Sequence, residues 1–176
     1  MRRRGLIALA LLPLGACGFR PLYGEAPSGG PGNNTSGDLA ATRVNLIADR
    51  EGQLLRRALV QRLGSDRGAP AQYQLSVRVT IRRDQVAVQQ DQTETRSRVT
   101  ATAEYVLQPL APPGTPIKTG RALAADAFNV GTDQYFAAQL SGEAAIQRIA
   151  ERLAEDITGQ LAAFYAQRRQ ATARAS

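Results

Sequence analysis

Between Tyr73 and Arg82 every second residue is apolar. Tyr73, Leu75, Val77, Val79 and Ile81 alternate with Gln74, Ser76, Arg78, Thr80 and Arg82. A period of two places one set on each side of an extended chain, so this segment is predicted to be a strand with one buried face and one wet face. A half-apolar sheet needs a second layer to cover it, and this restricts the fold more than any other feature of the chain. The next apolar residues, Val86 and Val88, fall on even numbers, so a bulge near Arg82–Gln85 is expected to re-aim the strand. A turn is expected over Gln89–Gln92. The chain then returns through Val99, Ala101, Ala103, Tyr105 and Leu107, again alternating with polar neighbours. A Pro-rich turn follows (Pro109, Pro112, Pro113, Pro116), and Ile117–Val130 reads as a further strand.

The covering layer is written in a different period. Leu55, Leu59 and Leu63 lie four apart, with Leu54 and Ala58 beside them, which is one stripe of a helix. Asp49 is expected to cap its start and Gly64 to end it. From about Asp133 to Gln167, Leu140, Ala144, Ile146, Ile149, Leu153, Ile157, Leu161 and Phe164 recur at helical spacing. On the polar side of this helix, Arg148–Glu151 and Arg152–Asp156 are spaced to pair within it. With a short strand at Arg43–Ala48, the order becomes β-α-β-β-β-α. The predicted fold is α+β, a two-layer sandwich with two helices packed on one face of a mainly antiparallel four-stranded sheet.

The N-terminus has a separate logic. Arg2, Arg3 and Arg4 precede an apolar run from Gly5 to Leu14, and Leu14-Gly15-Ala16 leads into the only cysteine, Cys17. Charge, a short apolar stretch and small residues, in that order, form an export signal. A bilayer span needs about 20 apolar residues, which this run does not supply. The step into Cys17 resembles the lipobox of bacterial lipoproteins, which implies acylation of the thiol and cleavage before it. Residues 1–16 are then signal, 17–38 an acylated start and flexible tether rich in Pro, Gly, Ser and Asn, 39–167 the folded domain, and 168–176 a basic tail. Losing Arg2–Arg4 takes the formal net charge from +7 to +4, so much of the apparent basicity belongs to the signal.

What is missing excludes whole classes of chemistry. The chain has no His and no Trp, and its single Cys is assigned to the anchor. Most metal sites, thiol nucleophiles and His-based proton transfer are thereby ruled out, no cofactor is implied, and a non-enzyme is expected. A carboxylate-based glycan hydrolase is the rival of another class. It needs two carboxylates about 5–10 Å apart in a cleft, whereas the acids of the last helix look Arg-paired.

Cys17-Gly18-Phe19-Arg20-Pro21-Leu22-Tyr23 resembles the mature start of the LPS-assembly lipoprotein family LptE, especially its alphaproteobacterial members. Ile47-Ala48-Asp49-Arg50-Glu51-Gly52-Gln53-Leu54-Leu55-Arg56, Ala103-Glu104-Tyr105-Val106-Leu107 and the run from Phe128-Asn129-Val130 into the last helix extend the match. The resemblance implies a lipoprotein on the periplasmic face of the outer membrane that plugs the β-barrel LptD and helps insert lipopolysaccharide into the outer leaflet. Gly rather than Asp at position 18 agrees with sorting to that membrane. The implied partners are the LptD-type barrel, lipopolysaccharide and the membrane itself through the lipid anchor, with no nucleic acid. An adaptor or pilotin of another outer-membrane machine is the alternative.

Folding of the hairpin near Asp91 brings Arg82, Arg83, Arg96 and Arg98 together, with Lys118 on the neighbouring strand. Guanidinium groups are fork-shaped donors suited to phosphate, which lipopolysaccharide carries. The same arginines fit a merely soluble surface, partly neutralised by Asp84 and Glu94. The polar hairpin residues Gln89, Gln90, Gln92, Thr93, Thr95, Ser97, Thr100 and Thr102 fit equally a barrel lumen and a solvated sheet face. The residues alone leave both choices open.

Cys17→Ser is expected to abolish lipid attachment and leave an uncleaved or soluble product. Each buried CH₂ contributes about 0.8 kcal/mol, so the acyl chains would be the whole anchor. Labelling cells with a fatty-acid probe checks this, and an unlabelled wild-type protein removes the lipoprotein reading.

Overall fold

The computed structural model describes residues 35–88, 94–112, 114–131 and 135–175. Cys17, the signal, the tether up to residue 34 and the expected turn at Gln89–Gln92 lie outside the described residues. The elements run α1 (Thr35–Ala40), β1 (Thr42–Val44), α2 (Asp49–Leu63), β2 (Tyr73–Val88), β3 (Glu94–Pro109), β4 (Lys118–Gly131) and α3 (Tyr135–Ala175). The four strands form one sheet in chain order. The α+β two-layer sandwich is as predicted. The sheet, however, is mixed: β1 pairs parallel to β2, while β2–β3 and β3–β4 are antiparallel. A parallel neighbour requires a crossover, which α2 provides between β1 and β2.

Register explains why both alternating patterns survive. Leu75, Val77, Val79 and Ile81 stand opposite Leu107, Tyr105, Ala103 and Ala101, which in turn stand opposite Lys118, Gly120, Ala122 and Ala124. All of these share the face under the helices. Leu75, Ala101, Ala103, Tyr105, Leu107, Ala122 and Ala124 are buried there. The pairing shifts between Gln85 and Ala87, so the expected bulge is present, slightly beyond its predicted position.

The helices cover that face side by side. Leu55, Leu59 and Leu63 of α2 and Ile149, Leu153, Ile157 and Leu161 of α3 are buried in one cluster with the sheet. Arg50–Glu143 at 3.3 Å and Arg62–Glu155 at 3.6 Å link the two helices at equal sequence steps, so they run parallel. Gly64 ends α2 at φ 69°, and the N–H groups of Gly64 and Ser65 both donate to the carbonyl of Val60. A Cβ on Gly120 would collide with the Tyr105 hydroxyl and ring, so glycine there leaves room for the Tyr105 side chain. Its hydroxyl donates to Gln160 Oε1 at 2.7 Å.

Several expectations are corrected. Asp49 does not cap α2. Ala48 holds the cap position without a side-chain bond, and Asp49 itself has φ 66°, a left-handed conformation that Asp tolerates better than most residues. The stripe on α3 starts at Ala145 and Ile146, not at Leu140, which is 68% exposed, or Ala144, because the first turns overhang the sandwich. Arg148 and Arg152 do not pair along the helix. Arg148 reaches Asp126 at 2.7 Å and Arg152 donates to the carbonyl of Ala125 at 2.9 Å, both on β4. Residues 35–38, assigned to the tether, begin the fold as part of α1, and the expected basic tail is the last part of α3. Arg169 clasps Asp38, and Arg168 lies over the Tyr73 ring at 5.9 Å.

Two predictions follow from this core. Leu153, 1% exposed, is expected to lose about 2–5 kcal/mol of stability on Leu153→Ala; a thermal melt that barely moves would show that α3 is not seated as described. Burial raises the phenol pKa of both Tyr105 and Tyr165 above the ordinary 10.0. The folded chain then keeps protons that the unfolded chain has released, so stability is full below pH 10 and falls as pH rises above it. Melts between pH 8 and 11 should show this decline, and a smaller one in Tyr165→Phe.

Candidate functional site: the open face of the sheet

The helices cover one side of the sheet and leave the other bare. Even-numbered residues of β2 and β3 and odd-numbered residues of β4 form this open face. It is polar over most of its area, with Ser76, Arg78, Thr80, Arg82, Thr100, Thr102, Glu104 and Arg121 among its residues; Leu123, 64% exposed, is its large apolar exception. Gln74 and Gln108 bond across the strands at 3.3 Å. Arg121 pairs with Glu104 at 2.9 Å and lowers that carboxyl below its ordinary pKa through this hydrogen bond and its charge, with Arg78 adding a smaller effect.

The five basic candidates do not form one cluster. Arg82 stands opposite Thr100, and Arg98 opposite Asp84, so Arg82 and Arg98 are diagonal neighbours about 7–8 Å apart across the two strands. Arg96 is two residues from Arg98 on the same strand and face. These three are exposed, and among the described residues no ion pair engages them. Ala125 and Ala127, small residues on the adjoining strand, leave a shallow depression of about 380 Å³ beside Arg96 and Arg98.

Arg83 is corrected out of this group. It stands opposite Val99 on the helix side of the sheet and meets Glu51 at 3.4 Å. Adjacent residues of a strand point to opposite faces, so Arg82 and Arg83 could not both join. Ser97 is likewise on the helix side, opposite Phe128. Lys118 is corrected for another reason. It pairs with Leu107, nine residues along β3 from Arg98, which places it about 30 Å away at the other end of the sheet. Parity within one strand decides the first outcome, and strand pairing, invisible in the residues, decides the second.

Arg83 instead lines a cavity of about 200 Å³ with Arg50, Glu51, Phe128 and Glu143. Its two carboxylates face arginines, Glu51 toward Arg83 and Glu143 toward Arg50. On β4, Asp126 is opposed by burial but held below its ordinary pKa by hydrogen bonds from Arg148 and the Ala127 N–H. Among the described residues no three His, Cys, Asp or Glu gather to hold a metal, and no helix is long and apolar enough to cross a membrane.

The fold has solved counterparts. A lipoprotein from Caulobacter crescentus superposes with TM-score 0.62 at 22% identity, over 77% of this chain and 98% of that one. A minor lipoprotein from Acinetobacter baumannii gives TM-score 0.53 at 15% identity, over 70% of this chain and 93% of that one. The rare lipoprotein B from Shewanella oneidensis gives 0.52 at 13%, over 73% and 98%. At such identities the likeness establishes the architecture. Among curated proteins no sequence matches the chain. Residues 39–161 match the family described as LptE, Lipopolysaccharide-assembly. That span takes in all four strands, α2 and α3 as far as Leu161, and the chain belongs to the LptE family of lipopolysaccharide-assembly proteins.

Proposed function

We propose that this chain is a non-enzymatic outer-membrane lipoprotein, acylated at Cys17 on the periplasmic side, that plugs an LptD-type β-barrel. In that position it assists assembly of the barrel and helps pass lipopolysaccharide to the outer leaflet. The open face of the sheet is the observation that carries the reading. A body lodged in a polar lumen needs hydrogen-bonding side chains on its outside, because large barrels are polar inside. Membership in a lipopolysaccharide-assembly family supplies the cargo. The parallel helices do the opposite job, burying the apolar side of the sheet so that the polar side is free for a partner.

Arg82, Arg96 and Arg98 are the phosphate contacts in this proposal. They share a face, lie near the hairpin end and are free of ion pairs among the described residues. Arg83 and Lys118 have no part in it. Asp84 opposite Arg98 lowers the local charge but leaves an excess of cations.

Changing Arg82, Arg96 and Arg98 together to Gln should weaken lipopolysaccharide binding by about tenfold or more, since charge-assisted hydrogen bonds are lost. The remaining affinity should depend less on salt. The fold should persist, because all three side chains are exposed. Affinity at low and moderate salt, beside capture of the barrel from solubilised membranes, is the measurement. Unchanged lipopolysaccharide affinity with loss of the barrel would assign the arginines to the protein interface. Capture of a different outer-membrane machine would replace the plug by the adaptor reading.

A further inference from the structure

The two long edges of the sheet are finished differently. At β4, the outward-facing backbone belongs to odd-numbered residues, and side chains meet it. Gln160 donates to the carbonyl of Arg121 at 3.0 Å, Arg152 to that of Ala125 at 2.9 Å, and Asp126 accepts from the N–H of Ala127 at 2.8 Å. Such capping is how proteins keep an edge strand from recruiting another chain. Two of the three capping side chains come from α3.

At β2 the edge is covered only where β1 lies, from Tyr73 to Leu75. The Asn45 N–H donates to the carbonyl of Leu75 at 2.9 Å, so the odd-numbered residues of β2 turn their backbone toward this edge. Beyond Leu75 the chain of β1 leaves the sheet for α2. Among the described residues no hydrogen bond of backbone or side chain reaches the outward N–H and C=O of Val77, Val79 or Ile81. Their side chains are only half-buried, and Val79 and Ile81 form the apolar wall of an open groove of about 340 Å³ whose other wall, the first turn of α2, carries Asp49, Arg50 and Glu51. Leu46, 81% exposed, stands where β1 departs.

We propose that the bare edge of β2 from Val77 to Ile81 takes one extended segment of a partner protein, alternately apolar and acidic, as a further strand in line with β1. Main-chain bonds to three outward residues supply the attachment and side chains set the choice, as in other strand-addition sites. On the groove side an incoming apolar residue would meet Val77, Val79 and Ile81. On the open side it would run past Arg78 and Arg82, both exposed, so acidic residues belong there. A second copy of this chain is the wrong occupant. Pairing β2 antiparallel with itself about Thr80 sets Arg78 directly opposite Arg82, where like charges are destabilising, and pairing about Val79 leaves the same cations diagonal to one another. The arginines thus exclude the copy and select an acidic strand. The inference shares Arg82 with the proposed lipopolysaccharide contacts, whereas Arg78 and the outward backbone of Val77, Val79 and Ile81 belong to it alone, and Arg96 and Arg98 on β3 have no part in it.

The test uses the full-length chain in detergent and a nine-residue peptide of alternating Glu and Val, with a Lys–Val peptide as its charge control. Amide hydrogen exchange is read residue by residue. The Glu–Val peptide should slow exchange at Val77, Val79 and Ile81 by about tenfold or more, as new hydrogen bonds form. Leu123, on the opposite edge, should not respond. The Lys–Val peptide should give no protection, and Arg78→Glu with Arg82→Glu should reverse the preference. Val79→Pro removes one outward donor without touching the β3 ladder, and it should abolish protection while the β3 amides stay slow. Absence of protection in the wild type, equal protection by both peptides, or an unreversed preference in the charge-swapped protein would overturn the proposal. The charge swap decides the matter even if the proline variant does not fold.

Discussion

Close approach of α3 to the sheet is the constraint on which the rest depends. Under the helix the sheet presents small residues, Ala101, Ala103, Ala122 and Ala124, with Gly120 beside Tyr105. The helix answers with Ala145, Ala150, Ala154 and Ala162 between its larger side chains, all buried. Small residues on both sides let backbone come near backbone, while Ile149, Leu153, Ile157 and Leu161 fill the space between. Because α3 lies so close to β4, Arg148, Arg152 and Gln160 can reach over its edge.

That closeness has consequences at both ends of the helix. Toward its C-terminus, Tyr165 shares a buried hydrogen bond of 2.8 Å with Thr42, and Arg169 holds Asp38 of α1. The start of the fold is thereby tied to the end of the chain. Toward its N-terminus, α3 overhangs the sandwich, leaving Phe136 and Leu140 exposed. The molecule therefore has a tied end at α1 and the last turns of α3, and a far end that carries Arg82, Arg96 and Arg98. β2 alone, at 16 residues, separates the two by about 50 Å.

Division of labour between the faces of the sheet gives the family assignment a physical form. One face is largely consumed by folding, with Leu75, Ala101, Ala103, Tyr105 and Leu107 buried under the helices. The other carries polar and cationic groups that contribute little to the core, so they are free to be chosen for what they bind. Salt bridges on this face, such as Arg121–Glu104, are exposed and worth about 0–1 kcal/mol each. Stability is supplied from one side, and the proposed recognition lies on the other.

Period alone made the long elements legible. Alternation over Tyr73–Ile81 and Val99–Leu107 and the four-residue step of Leu55, Leu59 and Leu63 fixed which residues face inward, because side-chain direction follows from local backbone geometry. Composition, with no His and a single Cys, likewise narrowed the metal and thiol chemistry open to the chain. Local pattern could not tell that β1 runs parallel to β2, since a period fixes which way side chains face and not the direction of the neighbouring strand. Nor could it foresee that Arg148 and Arg152 reach β4, or that residues 35–38 belong to the fold, because the partners lie far away in sequence. The arginine set shows the division most clearly. Arg82, Arg96 and Arg98 share a face through strand register, Arg83 is turned away by its odd position, and Lys118 is removed to the far end by the pairing of β3 with β4. Side-chain parity is a property of each segment, but which segments lie beside one another is settled only when the apolar faces pack.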